Sequence, residues 1–273
     1  MGIKDFFKLI KGESVKLTAY RDKVLAFDAL LEIYRANYGM SSPLLFDGIV
    51  TSGVSTIFNN VLECRKLGIT PIYIFDNQSC ALKSETVAKR TAKLTKYMVS
   101  DAKRLLCLMG VDIIIAPEGY EAEHLGARLV MEGTVDALVT RDADAIMFGC
   151  PIMLKKEKGK NFTEYKVNNI LENLDITIED LRKIGVALGC DFAPKVKGIG
   201  VKTVLKKYTD IKFTERQQDA IDYFSTKVPD GMTIDGNQDY DTLFTWLTTK
   251  LGFSKTIVAK KLNMLDTKGI KFT

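Results

Sequence analysis

Residues 71–76 read Pro71-Ile72-Tyr73-Ile74-Phe75-Asp76, a short apolar run that closes on a carboxylate. Ile72–Phe75 is too short for a helix and rich in β-branched and aromatic residues, so it reads as a buried strand. The same form occurs upstream, where Val24–Phe27 runs into Asp28. It occurs again downstream, where Ala137–Val139 is followed by Thr140, Arg141, Asp142, Ala143 and Asp144. A fourth run, Val111–Ile115, leads through Ala116 and Pro117 to Glu121 and Glu123. Between the runs lie longer stretches with helical spacing, Leu44–Leu67 and Glu121–Glu132. Strands alternating with helices predict an α/β fold, a central and mostly parallel sheet flanked by helices on both faces.

The rest of the chain extends this frame. Pro151 to Val167 alternates charged and apolar residues, the pattern of a β-hairpin. Beyond Ile176 the spacing is helical, broken by Gly185, Gly189, Gly198 and Gly200. Val228–Asp241 reads as a long loop before a last helical region around Trp246. The expected organisation is a core over residues 1–175, including a basic helix at 79–105, and a helical region over 176–273, the two forming one compact unit. No internal repeat or low-complexity segment interrupts it.

Composition narrows the class. The 273 residues are 46% hydrophobic, enough for a core without disulfides or a structural metal. The five cysteines are scattered singly and odd in number, which argues against a zinc site or disulfide framework and for a reducing compartment. No apolar run approaches the roughly 18 residues that a spanning helix requires. Charges at Lys4, Asp5, Lys8 and Lys11 are unlike a signal peptide, and Phe6 stands where a myristoylation site would carry Ser or Thr. The expectation is a soluble intracellular protein, nuclear or cytoplasmic. Its net charge of +5 permits a polyanionic partner without requiring one.

The carboxylates carry the chemistry. In open α/β sheets the functional crevice forms outside the carboxyl ends of the strands. Asp28, Asp76, Asp142 and Asp144 all follow apolar strands and would meet at that edge. Like charges in one crevice are costly unless cations neutralise them. Oxygen ligands without His or Cys suit Mg2+ or Mn2+. Two such ions, about 4 Å apart, can activate water and stabilise both oxygens of a displaced phosphate. Each Asp taken singly is as readily a helix N-cap, but several together at strand ends are better explained by a metal cage. Glu121 and Glu123, two apart, can share a site only if Glu121 lies on the loop entering the helix or in a distorted first turn.

Two further segments bear on a nucleic acid. Ser79–Leu105 holds seven basic residues against two acidic ones, with Lys83, Arg90 and Tyr97 at seven-residue steps, near one helical face. Directly after Asp76, such a helix would set positive charge over a scissile phosphate. Lys195-Val196-Lys197-Gly198-Ile199-Gly200-Val201-Lys202 reads as helix, tight turn, helix, with glycines that allow close backbone approach. The single histidine, His124, reads as structural.

Taken together, the segments MGI, AFDALLEIY, PIYIFDNQSCALKSETVAKR, LLCLMGVDIIIAPEGYEAE, ALVTRDADAIMFG and LGCDFAPKVKGIGVK resemble the flap endonuclease/XPG structure-specific 5′-nucleases over residues 1 to about 210. That resemblance implies a PIN-like 5′-nuclease fold with a C-terminal helix–two-turn–helix element, near 185–208, gripping duplex DNA. It implies two Mg2+ or Mn2+ ions: Asp28, Asp76, Glu121 and Glu123 resemble the first-metal set, and Asp142, Asp144 and Asp191 the second. Lys83 and Arg90 match the catalytic cations, and Tyr34 the base-stacking aromatic, a buried core tyrosine being its alternative. Gly2, Lys93, Lys96, Lys197, Gly198, Gly200 and Lys202 complete the implied DNA-binding set, with K+ at the helix–two-turn–helix element.

The main departure of the sequence from that family lies after the basic segment. Only about 20 residues separate Arg90 from Val111, so the arch and cap that would enclose a threaded strand are shortened. Flaps, recessed ends, gaps and four-way junctions all stay open as substrates, as does 5′–3′ exonuclease action or Holliday-junction resolution. A PIN-like ribonuclease and a non-cleaving DNA-end binding protein are the competing readings. No sliding-clamp peptide is found near the end of the sequence, and a monomer is expected. The basic residues Lys255, Lys260, Lys261, Lys268 and Lys271 fit DNA contact and a solvated face equally.

Overall fold

Alternation along the strands builds two cores around one sheet. The computed structural model describes residues 2–3, 5–39, 44–77, 83, 94–157, 159 and 161–265. Its main sheet has eight strands: β1 (Glu13–Lys16), β2 (Val24–Asp28), β5 (Thr70–Phe75), β6 (Ile113–Ile115), β7 (Ala137–Val139), β8 (Ile152–Lys156), β9 (Asn161–Lys166) and β10 (Met232–Ile234). Their spatial order is β1-β9-β8-β7-β2-β5-β6-β10. The five central strands, from β8 to β6, are mutually parallel, and antiparallel strands close both edges. Successive side chains on a strand point to opposite faces. Leu25, Phe27, Tyr73, Phe75, Ala137 and Val139 therefore enter one core, while Ala26, Ile74, Leu138 and Met153 enter the other.

Helices cover both faces. The first core also takes residues from α1 (Ala29–Tyr38), α2 (Ser52–Lys66), α3 (Lys96–Leu108), α10 (Tyr240–Thr249) and α11 (Lys255–Asn263). The second takes α4 (Ala122–Met131), α5 (Asp144–Met147), α6 (Val167–Leu174), α7 (Ile178–Leu188), α8 (Val201–Lys207) and α9 (Glu215–Ser225). Among the described residues no helix is long and apolar enough to cross a membrane.

Five sequence expectations need correction. Leu44–Leu67 is not helical throughout: β3 (Leu45–Phe46) and β4 (Ile49–Val50) form a small hairpin before α2 begins. Its turn is Asp47-Gly48, both with positive φ (47° and 75°), the geometry that lets a two-residue turn follow the strand twist. Val228–Asp241 is not wholly a loop, because Met232–Ile234 pairs antiparallel with Ile113–Ile115 as an edge strand. The strand expected from Val111 starts at Ile113, and helix begins at Val167, ahead of Ile176. Within Ser79–Leu105 the described helix starts at Lys96, after the N-cap hydroxyl of Thr95 accepts from the Met98 amide. Residues 78–82 and 84–93 lie outside the described residues. The hairpin expected over Pro151–Val167 is β8 and β9.

Candidate active site

Because β2, β5, β6 and β7 run parallel, their carboxyl ends open on one edge of the sheet. Asp28 ends β2 and also caps α1, its Oδ1 accepting from the Leu31 amide at 3.0 Å. Its other oxygen accepts from the Thr140 hydroxyl at 3.2 Å. The capping role and the place in the site thus coexist in one side chain. Asp76, one residue past β5, accepts from the Ala122 amide at 2.6 Å and so ties that strand to the start of α4. Glu121 is the N-cap residue of α4, with extended backbone (φ −111°, ψ 160°), and Glu123 lies in the first turn. Their two-residue spacing is thereby reconciled with a shared site.

Asp142 and Asp144 follow β7 in a tight turn. The Thr140 hydroxyl accepts from the Asp142 amide at 3.2 Å, and Asp142 Oδ1 accepts from the Asp144 amide at 3.1 Å. Asp191 enters from beyond the end of α7. Six of the seven acids are buried, Asp144 completely, and Asp76 is half-buried.

The electrostatics follow from this crowding. Burial, then the neighbouring Asp76 carboxylate, pushes Asp28 up to about 7. Burial also lifts Glu121 to about 7, with Lys83 pulling it down and Asp76 pushing it up. Glu123 and Asp144 are driven well above the ordinary carboxylate range by burial and then by the nearest acids, Asp28 and Asp142 respectively. Burial raises Asp142 as well. A cage that resists its own ionisation in this way favours cations of high charge density.

One cation of the chain is already inside. The Lys83 ammonium, itself buried, lies 2.8 Å from Glu121 Oε1 and 3.5 Å from Asp191 Oδ2. Burial disfavours its charge, but the surrounding carboxylates, Glu121 foremost, overcome that and hold it well above the ordinary lysine range. Among the described residues no three acids converge closely enough to grip an ion as they stand. Both Asp144 oxygens and Glu121 Oε2 are nonetheless buried without a hydrogen-bonding partner there. Orphaned anionic oxygens of this kind are what a hard divalent cation would satisfy, so the residue set fits such ions.

The remaining predicted residues are distributed around this cage. Gly2 sits against it with φ +77°, and a Cβ there would come 2.1 Å from Asp142 Oδ1, so only glycine fits. Tyr34 on α1 is half-buried, its ring 5.1 Å from that of Tyr38, which is not the environment of a core tyrosine. Lys96 and Tyr97 are exposed at the start of α3. Lys197, Gly198 and Lys202 are exposed at the turn between α7 and α8, and the Gly200 amide donates to Thr203 Oγ1 at 3.0 Å. Arg90 and Lys93 lie outside the described residues.

His124 is structural in its contacts. Its ring stacks on Phe148 at 4.1 Å and Nε2 pairs with the Thr226 carbonyl at 2.9 Å, while burial pushes it down to about 4. Two residues of the site escaped the sequence reading. Thr140 links Asp28 to Asp142, and its signal was its place between β7 and the acids. Phe192, whose ring centroid lies 4.7 Å from the Lys83 ammonium, left no signal beyond adjacency to Asp191.

Comparisons with known proteins agree with this geometry. Residues 1–97 match the XPG N-terminal domain and residues 110–191 the XPG I-region. Flap endonuclease 1 of Zea mays is 30% identical over 251 aligned positions, covering 76% of this chain and 66% of that protein. Flap endonuclease 1 of Trypanosoma cruzi is 28% identical, covering 81% and 68%. The chain thus spans about two thirds of the length of these relatives. Among solved structures, flap endonuclease-1 from Methanococcus jannaschii superposes with a TM-score of 0.83 at 25% identity, covering 96% of this chain and 97% of that one. The fold is also that of the Rad2 catalytic core in complex with DNA substrate (TM-score 0.82, 20% identity, 97% and 100% covered). It is shared with human GEN1 in complex with Holliday junction DNA (TM-score 0.78, 16% identity, 97% and 77% covered). The two halves of the cage, the strand edge of residues 24–76 and the acids of residues 121–191, fall in the two matched regions, and the chain belongs to the flap endonuclease/XPG family of nucleases.

Proposed function

We propose that this chain is a structure-specific 5′-nuclease that hydrolyses DNA phosphodiesters near 5′ flaps, ends or junctions, using two divalent ions, Mg2+ or Mn2+. The observation that carries the reading is the group of buried acids gathered beyond the carboxyl ends of the parallel strands, with Asp191 reaching it from beyond α7 and the Asp144 oxygens left unpartnered. Asp28, Asp76, Glu121 and Glu123 would hold one ion, and Asp142, Asp144 and Asp191 the other. Bound there, the ions would supply an activated water and neutralise charge on the displaced phosphate.

The chain's own residues do the rest. Lys83, with Arg90, draws the scissile phosphodiester to the cage and offsets its developing charge. Thr140 orients Asp28 and Asp142 by accepting from one segment and donating to the other. Tyr34 stacks on a base near the cleaved bond. Gly2, by lacking a Cβ, keeps the approach to Asp142 open. Lys93 and Lys96 contact the single strand, while Lys197, Gly198, Gly200 and Lys202 meet duplex backbone phosphates, so binding should be insensitive to sequence and sensitive to salt. In this reading residues 1–175 are the nuclease core and 176–273 bring the duplex grip, in one unit.

The test is cleavage of equal amounts of labelled 5′-flap, nicked, gapped, four-way-junction and RNA substrates in Mg2+ or in EDTA. The expected result is Mg2+-dependent cutting of one or more branched or 5′-ended DNAs. Cleavage of RNA alone would replace the reading with a ribonuclease. Tight DNA binding with no Mg2+-dependent product would replace it with a DNA-end binding protein.

A further inference from the structure

Among the described residues, Lys83 meets two carboxylates within ion-pair distance and one aromatic ring. Glu121 and Asp191 supply the carboxylates, and the ring is that of Phe192, 4.7 Å from the ammonium to the centroid. Phe192 is completely buried and has its own fixed surroundings. Its ring packs on Tyr223 at 4.8 Å and meets Phe224 edge-on at 5.3 Å, both carried by α9. The Tyr223 hydroxyl donates to the Gly119 carbonyl at 3.0 Å, and Arg216 Nε donates to the Phe192 carbonyl at 3.3 Å. The ring is therefore a rigid wall set by α9, while a lysine side chain is a long and flexible stem.

Carboxylates alone would pull an ammonium wherever their summed field is deepest. A ring face adds an attraction from one direction only and bars water from that side. It fixes the lateral position of the cation without neutralising it. We propose that Phe192 is a positioning residue for Lys83, its ring holding the ammonium at the Glu121–Asp191 wall of the cage, from which it meets the scissile phosphate. The inference rests on the nuclease reading for its consequence, although the contact itself does not.

The bland alternative is that Phe192 merely fills core, and a double-mutant cycle separates the two. Wild type, Lys83→Met, Phe192→Leu and the double variant are compared in single-turnover cleavage of the best substrate, in DNA affinity with Ca2+, and in thermal melting in EDTA. Phe192→Leu should slow cleavage about tenfold, in the range of a desolvated cation–π contact, and leave DNA affinity within about twofold. Phe192→Tyr should restore most of the rate. In the Lys83→Met background Phe192→Leu should change the rate by less than about twofold, and the melting temperatures should show the same non-additivity.

Equal losses in both backgrounds, in rate or in melting, would overturn the proposal and leave Phe192 a core residue. Phe192→Met, which keeps bulk while removing the ring face, replaces the leucine variant if that protein does not fold. If wild type fails to cleave at all, the nuclease reading falls, while the melting cycle in EDTA still reports on the contact.

Discussion

The Lys83 ammonium lies 2.8 Å from the Glu121 carboxylate, inside the same cage whose acids would receive divalent ions. The lysine is thus the cage's internal counter-cation, and bound metal must compete with it or displace it. Lys83→Met should lower the melting temperature in EDTA, since it leaves the buried carboxylates uncompensated. The same change should tighten Mn2+ binding in calorimetry and slow single-turnover cleavage more than it weakens DNA binding. Weaker metal binding in the variant would contradict the competition, and loss of DNA affinity without loss of rate would make Lys83 a phosphate anchor.

Asp76→Ala and Asp142→Ala address the cage itself. Each should reduce turnover by about a thousandfold or more, the several kcal/mol that metal-ion catalysis supplies. DNA affinity measured in Ca2+ should be largely retained. A loss of only a few-fold would mean the metals are held elsewhere.

Gly2→Ala places a methyl group where Asp142 Oδ1 already is, at a backbone φ of +77°. Left-handed strain of about 1–3 kcal/mol, passed to the reacting geometry, corresponds to roughly a five- to 150-fold slower single-turnover step. Duplex binding should hardly change. Wild-type rates for the alanine variant would show that the chain near Gly2 moves aside during catalysis.

Metal removal should be visible without any substrate. Because burial and mutual repulsion raise Asp28 and Glu121 to about 7 and hold Glu123 and Asp144 well above the ordinary carboxylate range, a divalent ion relieves an unfavourable native state. Saturating Mg2+ at about 100 times its dissociation constant should add about 2.7 kcal/mol of stability, read as a rise in melting temperature over EDTA. In Asp144→Asn the rise should shrink. An identical melting curve with and without Mg2+ would contradict the cage.

The thiols give a pH-dependent prediction. Burial pushes Cys64, Cys150 and Cys190 up to about 12, so the nucleophilic thiolate is scarce at pH 8. Alkylation followed by mass spectrometry should leave these three unmodified in native protein and label them on unfolding. Fast native labelling of Cys150, which is fully buried, would show that the connection between α5 and β8 opens readily.

Much of this architecture was legible because it is written in short apolar runs that end on acids. Val24–Phe27, Ile72–Phe75 and Ala137–Val139 needed no tertiary knowledge to be recognised as strands, and the structure lengthens the first two by one and two residues. Glu121, Glu123 and Asp191 were different: none directly follows a strand, and their place rested more on resemblance than on pattern. The hairpin at Asp47-Gly48 carried a turn signal, but the apolar residues on both sides merged with the helical spacing of α2. Met232–Ile234 was hidden for another reason. All three residues are exposed, and a three-residue edge strand exists only because β6 offers it a partner. The wall that Phe192 makes for Lys83 is tertiary and has no local period to betray it.

The two outermost strands of the main sheet have a consequence for how the chain is made. Glu13 pairs with Glu164, and Ile115 waits for Met232. Such distant pairing gives a high contact order and slow folding. As the ribosome delivers the chain, β6 stays a bare edge until residue 234 has emerged, and bare edges recruit strands from other molecules. Shorter amino-terminal fragments that stop at the last acid, Asp191, would carry every proposed metal ligand and still be prone to aggregate. A minimal catalytic fragment is therefore bounded by a strand that touches no metal.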